Sequence, residues 1–427
     1  MSPSQLMVST SRKNWKKLKI LILAHYYPPE MGGGAARVHG LARWLVKLGH
    51  DITVITGFPN YPSGIVRSEY RGKLRGREER DHVAVIRTWV YPSSHRTSMG
   101  RLSNYFSFVL SSIVTGLSLR DRHDVVVASS PPLFIGIAGR MLSRIRHIPF
   151  VFDIRDIWPD VAVDAGAFKP DSIFIRSGRR LARYLYMTAD HLTPVTEVKC
   201  EKIVDEGADR HKVSVIPNGV DFDRLNQGEA GRWRAELDLD NRFVVAYTGL
   251  IGIAQGVGII VEAAHYLKKN PSIHFLIVGD GVERRGLVKK VNDLNLENVT
   301  FVPSLPRREV PSVLASADIA VVPLVSGNLA DAVPSKLMEA WACHRAVLLV
   351  ARGEAAQLVE TARGGVVVPP QQPRRLAEAV AALSEDSQIL NGYAENGYAF
   401  VQTHFDRRDL ARRMENVLMR VCLGVAP

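Results

Sequence analysis

The chain has 427 residues, 46% hydrophobic and 23% charged, which suits a soluble globular protein of two or three domains and excludes a collagen-like, disordered or polytopic membrane chain. Its net charge of +12 is one-sided: residues 1–221 hold 32 Lys+Arg against 20 Asp+Glu, and residues 222–427 hold 23 of each. A positive field on one half suits a polyanionic partner: nucleic acid, an anionic bilayer or a phosphorylated substrate.

The first residues, through Lys17, read as a loose basic arm with Arg12, Lys13, Lys16 and Lys17. The apolar run Leu18–Ala24 is too short for a signal peptide and runs into His-Tyr-Tyr-Pro-Pro, so it reads as a strand and a turn. Further strands are expected at Asp51–Thr56, Val83–Arg87, Asp124–Ala128, Phe150–Ile154 and Val213–Ile216. Apolar residues at Val38, Leu41, Leu45 and Leu48 predict a helix that stops at Gly49. From Leu102 to Leu119 the chain is uncharged, between Arg101 and Arg120. On a helical wheel Ser103, Ser107, Ser111 and Thr115 fall on one side, with Leu102, Phe106, Val109, Leu110, Ile113 and Leu117 on the other. That amphipathic pattern disfavours spanning. The helix either lies on a bilayer with its arginines on lipid phosphates or packs into the core.

In the second half, strands are expected at Phe243–Thr248, His274–Val278, Val299–Val302, Ile319–Val322, Ala346–Val350 and Gly365–Val368. Strands alternating with helices predict parallel βαβ units, hence an α/β chain of two doubly wound domains. The break is placed near the turn Pro217-Asn218-Gly219. Phe405–Val421 repeats Leu410, Met414, Val417, Leu418 and Val421 on one side with no strand after it, so it is expected to cross back to the first domain. The resulting division is an arm (1–17), a first domain (18–221), a second domain (222–400) and a terminal helix (401–427).

Two stretches carry chemistry. Gly32-Gly33-Gly34 opens the first helix after the first strand, where free N–H groups and the positive helix end favour a phosphate, although the G-x-G-x-x-G fingerprint is absent. Asp331-Ala-Val-Pro-Ser-Lys-Leu-Met-Glu339 follows the strand Ile319–Val322, at the carboxyl edge where open α/β sheets bind ligands. Pro334 suits a helix start, and Lys336 and Glu339, three apart, share a helix face. A cation beside a diphosphate and a carboxylate on ribose hydroxyls would both be in place; a surface ion pair is the plainer reading of the same spacing. His25, His39 and His50 read as turn or surface residues, Trp44, Trp158 and Trp341 as packing residues, and Cys343 as a small buried one. Cys200, Cys343 and Cys422 lack metal or disulfide spacing and fit a reducing compartment.

Together these residues resemble the retaining, family 4-type glycosyltransferases. Asp331 and Glu339 have the spacing of the family's E-x(7)-E signature. Val215-Ile-Pro-Asn-Gly-Val-Asp221 resembles its interdomain loop, and Tyr247-Thr-Gly249 with Gln255-Gly256 its first C-terminal phosphate loop. Val278-Gly-Asp-Gly281 resembles its nucleotide loop, and Ala317-Asp318 with Pro323-Leu324 flank the strand before the acidic motif as in the family. Pro-Ser-Lys-x-x-Glu, Ala254-Gln-Gly256 and Arg155-Asp-Ile-Trp-Pro159 look most like the bacterial N-acetylfucosamine-transferase-like subgroup of O-antigen and capsule assembly.

The resemblance implies a GT-B fold, two Rossmann-like domains facing across a cleft. It implies transfer of a sugar, an N-acetylated amino or deoxy sugar, from a UDP-linked donor. The acceptor would be membrane-associated and polyprenyl-diphosphate-linked, with no metal ion required. It places Glu339 on the ribose, Gly33 and Gly34 on the diphosphate, Gly279 and Asp280 near the base, and Gly249, Gln255 and Ser335 along the donor. Lys336 would neutralise the departing phosphate. Asp331 would contact the donor sugar, one methylene shorter than the family's usual Glu. Leu250 and Gln255 replace the family's usual Arg and Lys, leaving Lys336, backbone N–H groups and Arg307 or Arg308 to carry the charge. Arg155-Asp156 replaces the family's His-Asp pair; Arg155, Asp156 and Trp158 are expected at the acceptor, Arg155 beside the reacting centre as a hydroxyl or phosphate ligand and not a base. The implied location is cytoplasmic, peripheral to an anionic inner-membrane surface, with no nucleic-acid partner. A nucleotide-sugar epimerase of the same fold and a non-catalytic nucleotide-sugar-binding protein are the alternatives.

Overall fold

The computed structural model describes residues 17–30, 32–60, 64–93, 98–164, 168–225, 231–325 and 331–424. The basic arm lies outside these residues except for Lys17. The first domain holds a seven-stranded sheet: β1 (Lys19–Ala24), β2 (Asp51–Gly57), β3 (Arg75–Arg80), β4 (Val83–Thr88), β5 (Val125–Ser130), β6 (Phe150–Ile154) and β7 (His191–Pro194). The spatial order is β3-β4-β2-β1-β5-β6-β7, and only β3 runs antiparallel. The second domain holds β8 (Phe243–Thr248), β9 (Ile273–Val278), β10 (Val299–Val302), β11 (Ile319–Pro323), β12 (Ala346–Val350) and β13 (Gly365–Val368), in the order β10-β9-β8-β11-β12-β13 and all parallel. Setting aside edge strand β3, both sheets run 3-2-1-4-5-6 in domain order. Each therefore has one point, between β1 and β5 or between β8 and β11, where the chain direction reverses and a crevice opens at the carboxyl ends.

The central strands are apolar on both faces because helices cover both sides: β5, β9 and β12 are buried along their whole length. The helices that matter below are α1 (Gly33–Lys47), α2 (Ser98–Ser118), α3 (Ile135–Arg146), α4 (Ile173–Thr188), α5 (Glu197–Asp205), α6 (Ser335–Ala342), α7 (Ser387–His404) and α8 (Arg407–Leu423). Helix α8 crosses back: Leu410, Met414 and Leu418 pack with Ile20, Val38 and Leu41 of the first domain.

The structure adds to or differs from the sequence reading in three places. Val213–Ile216 is not a strand of the sheet but runs beside β7, which is too short and polar to stand out in the sequence: Val213 bridges Leu192, and Ser214 N and Ile216 N donate to the Leu192 and Pro194 carbonyls at 3.0 and 2.9 Å. Strand β3 carries Arg75, Arg77, Glu78, Glu79 and Arg80, a charged edge strand whose sequence hides it from an apolar pattern. Helix α2 packs into the core with a mixed face: Phe108, Val109 and Ile113 are buried beside Asn104, Ser112 and Thr115, while Leu110 (67%) and Val114 (68%) face solvent. The buried polar groups find partners there: Asn104 Oδ1 bonds His25 Nε2 at 2.7 Å, Asn104 Nδ2 donates to the Tyr91 carbonyl at 2.6 Å, and the Thr115 and Thr88 hydroxyls lie 3.0 Å apart. Among the described residues no helix is long and apolar enough to cross a membrane.

Candidate donor-sugar site

The site forms at the two reversal points. On the first sheet, Ala24 of β1, Ser130 of β5 and Ile154 of β6 end at one edge. Gly33 and Gly34 open α1 there, after Gly32. A side chain at Gly33 would meet nothing within 4 Å, so its backbone is open to a ligand. A Cβ at Gly34 would fall 2.0 Å from Nη1 of Arg155. The Arg155 guanidinium therefore lies on the glycine entrance, fastened by its donated bonds to the carbonyls of Ser130 (2.6 Å) and Pro131 (3.4 Å). Burial lowers its pKa and Asp156 and Asp153 oppose that, so a buried cation stands beside the glycine entrance. Arg155 thus belongs with the glycine loop, while Trp158 of the same motif is half-buried and packs against the first domain's core.

On the second sheet the loops after β8 and β9 bind each other backbone to backbone. Gly249 N donates to Val278 O at 2.8 Å, and Ile251 N to Asp280 O at 2.8 Å. A Cβ on Gly279 would sit 1.8 Å from the Gly249 oxygen, so the approach requires glycine. Asp280 bends onto its own loop, accepting from Gly281 N at 2.8 Å. Gln255 folds over the same turn, with Oε1 2.7 Å from where a Cβ on Gly252 would be.

Pro334 and Ser335 start α6 after β11, as the proline's position requires. Its first turn carries Lys336, whose Nζ donates to the Tyr247 hydroxyl and stands 4.1 Å from the Tyr247 ring centre. Gly249, at φ +130°, makes room: a Cβ there would lie 2.5 Å from Lys336 Cε. Burial pulls the Lys336 pKa down to about 8, with Glu339 opposing. Glu339 faces the same crevice but is held by Arg307, 2.7 Å from its Nη2. Arg307 is thus the carboxylate's partner, and Arg308 lies outside on Glu309.

Asp331 has partners in the other domain. Its carboxylate reaches across to α5 of the first domain, 2.7 Å from Lys202 Nζ and 3.3 Å from Lys199 Nζ. This contact joins the carboxyl edges of the two sheets, because α5 follows β7 and Asp331 follows β11. A cavity of ≈ 250 Å³ lies behind it, lined by Thr196, Pro217, Asn218, Val333, Met338 and Arg413 among others.

Sequence reading missed Tyr247 as the seat of Lys336, although it stands in the phosphate-loop motif. It also missed Lys199 and Lys202, which no local pattern links to Asp331. A third omission is the buried pair of Arg37 and Asp153, 2.7 Å apart, that holds α1 to the sheet while Arg37 also donates to the Pro217 carbonyl of the linker at 2.8 Å. Asp221, last residue of the linker motif, accepts from Arg43 and Trp44 at 2.7 Å each and pairs with Arg407, tying linker, α1 and α8 together.

Residues 32–219 match the family described as glycosyl transferase 4-like domain, and residues 230–400 match glycosyl transferases group 1. The chain is 27% identical to the putative colanic acid biosynthesis glycosyl transferase WcaI of Escherichia coli K12, over 93% of this chain and 99% of that one. It is 25% identical to the putative teichuronic acid biosynthesis glycosyltransferase TuaC of Bacillus subtilis 168, over 93% and 97%. Among solved structures, Anabaena HepE, in complex with UDP and glucose, superposes with a TM-score of 0.70 at 20% identity, covering 94% of this chain and 99% of that one. Sucrose-phosphate synthase from Thermosynechococcus elongatus gives 0.76 at 18% identity, over 96% and 100%. These likenesses establish the GT-B architecture, and with both sequence matches the chain belongs to the family 4-type glycosyltransferases, enzymes that transfer glycosyl groups.

Proposed function

We propose that this enzyme moves a sugar from a UDP-linked donor to a membrane-borne, polyprenyl-diphosphate-linked acceptor in cell-surface polysaccharide synthesis, with retention of configuration. The observation that carries the reading is the pairing of cradles at the two reversal points: Gly33 and Gly34 beneath Arg155 on one sheet, and Gly249 beside Lys336 on the other. Glu339 would take the ribose hydroxyls on the side away from Arg307. HepE, seen with UDP and with UDP-glucose, favours uridine as the base. The subgroup motifs favour an N-acetylated amino or deoxy sugar, and WcaI and TuaC, named for colanic and teichuronic acid biosynthesis, favour a surface polymer as the product.

In the transfer, the acceptor hydroxyl attacks the anomeric carbon while the bond from that carbon to the diphosphate oxygen breaks. The hydroxyl proton leaves with that oxygen. Negative charge builds on the diphosphate, so catalysis consists mainly of meeting it with donors already in place. Lys336, the N–H groups at the start of α6 and those at the start of α1 supply this, each preorganised donor contributing about 2.7–4 kcal/mol. The reading gives the cationic role to Lys336 and Arg155 and not to a metal ion.

A membrane-borne acceptor is supported by the surface of the first domain. Helices α2, α3 and α4 hold eight arginines and no acidic residue. Leu110 and Val114 of α2 lie exposed, as do Met141 and Ile145 of α3, which packs against α2 through Leu142 and Gly116. An apolar strip bordered by arginines fits the inner-leaflet surface, with anionic lipid phosphates around buried side chains. The test is calorimetric titration with UDP-, GDP- and dTDP-sugars, followed by transfer to a polyprenyl-diphosphate-linked sugar. Binding of UDP-sugars with label appearing in the lipid fraction supports the proposal. UDP-sugar hydrolysed or isomerised without acceptor would favour an epimerase-type activity instead.

A further inference from the structure

We infer that Asp331 works as an interdomain tie that sets the position of Lys336, with Lys199 as its partner, and not as a ligand of the donor sugar. The inference rests on the role given above to Lys336.

Both carboxylate oxygens of Asp331 are already engaged, Oδ1 with Lys199 and Oδ2 with Lys202. The Asp331 backbone carbonyl also accepts, from Lys199 Nζ and from Thr196 Oγ1 at 3.5 Å. All of these partners belong to the first domain, at the start of α5. Lys199 is the partner that matters: its side chain is 4% exposed against 50% for Lys202. A buried ammonium needs a fixed counter-charge, whereas an exposed one contributes little. Asp331 supplies Lys199 with a carboxylate oxygen and a carbonyl together. A second bond runs parallel, from Glu197 N at the head of α5 to Glu354 Oε1 of the second domain at 2.9 Å.

The tie bears on the reaction through chain geometry. Asp331 stands five residues before Lys336, and the chain between them passes through Pro334, whose ring fixes its φ, directly into α6. Anchoring Asp331 on α5 therefore fixes where the first turn of α6 sits relative to the first domain and its glycine loop.

The experiment uses the full-length enzyme with Lys199→Met, Asp331→Asn and the double variant. It measures kcat and KM for the donor, donor-sugar preference and UDP affinity. A tie predicts that each single variant lowers kcat about tenfold and that the double variant is no slower than either one. Donor KM, donor preference and UDP affinity stay near wild type, and Asp331→Glu recovers most of the rate. A sugar ligand predicts the reverse: Asp331→Asn raises donor KM and shifts sugar preference, Lys199→Met keeps wild-type kcat, and the two effects multiply. Asp331→Asn leaves the Lys199 ammonium buried without its counter-charge, so where that variant fails to fold, Lys199→Met, which removes the buried charge, decides the question. Wild-type turnover with Lys199→Met equally fast overturns the tie alone. A wild-type enzyme that binds no nucleotide-sugar overturns both the tie and the reading beneath it.

Discussion

Lys336 gives the sharpest test of the site, because its chemistry and its cost to the fold point in opposite directions. Burial beneath Gly249 and over the Tyr247 ring draws its pKa from 10.5 to about 8. At about 1.36 kcal/mol per unit, holding this ammonium at neutral pH costs the fold on the order of 3 kcal/mol. Because the folded pKa is lowered, the unfolded chain binds the extra proton between about pH 8 and 10.5, so this group's contribution to stability rises with pH there and is unfavourable below. Replacing it by methionine is therefore expected to raise the melting temperature at pH 7 by a few degrees. The same change should lower kcat by about 10²–10³, the effect of losing one preorganised donor to a leaving group. In wild type, kcat/KM for the donor reports the free enzyme and should fall about tenfold per pH unit above about pH 8, while kcat holds to higher pH because the bound diphosphate pulls the lysine back up. Tyr247→Phe removes the acceptor for the Lys336 proton and should move the falling limb to lower pH. Initial rates from pH 6 to 10 and thermal melts of the three proteins are the assay. A kcat/KM that is flat through pH 9.5, or Lys336→Met turning over within a few-fold of wild type, would refute the reasoning.

Further outcomes follow from other contacts. Gly34→Ala places a methyl 2.0 Å from the Arg155 guanidinium and is expected to abolish most donor turnover; adding Arg155→Ala should restore donor binding by calorimetry but not the rate, since the cation is then gone. Leu110→Glu with Val114→Glu is expected to cut co-sedimentation with anionic vesicles at least tenfold while leaving UDP-sugar binding unchanged; equal sedimentation would rule out the α2 strip as the docking face. Burial pushes the Asp153 carboxyl up, but Arg37 and Ser129 pull it below the ordinary range, so the stability it confers is present above that range and is lost as pH falls through the folded value. Asp153→Asn strands Arg37 and is expected to cost about 3–5 kcal/mol in denaturant melts. A loss under 1 kcal/mol would mean the pair is not what holds α1.

How much of this was legible without coordinates depends on the distance over which each residue acts. Strands β1, β8 and β12 announced themselves by apolar runs, since a parallel strand covered on both faces has no polar side to show. Strand β3, charged throughout, and β7, only four residues long, gave no such signal because the sheet edge tolerates either. The glycine run Gly32–Gly34 and the helix start at Pro334–Ser335 were readable because both residue types mark a helix entrance in the sequence. The facing of Lys336 and Glu339 followed from helical spacing alone.

What the tertiary structure decided was which partners meet across long stretches of chain. Helix α2 has an amphipathic sequence, yet its inward face carries Asn104 and Thr115 beside Phe108, Val109 and Ile113, because Asn104 bonds His25 and Tyr91 and Thr115 meets Thr88 from other elements. Arg155 settled over Gly34, 121 residues away in the chain, because β1, β5 and β6 end at one edge. Asp331 met Lys199 because two domains close on each other, which no periodicity records. The sequence on its own determined the two wound sheets and the glycine-rich loops at their edges, both products of local pattern; the pairing of charges between domains waited on the fold, since attraction at a few ångströms exists only once packing has brought the groups that close.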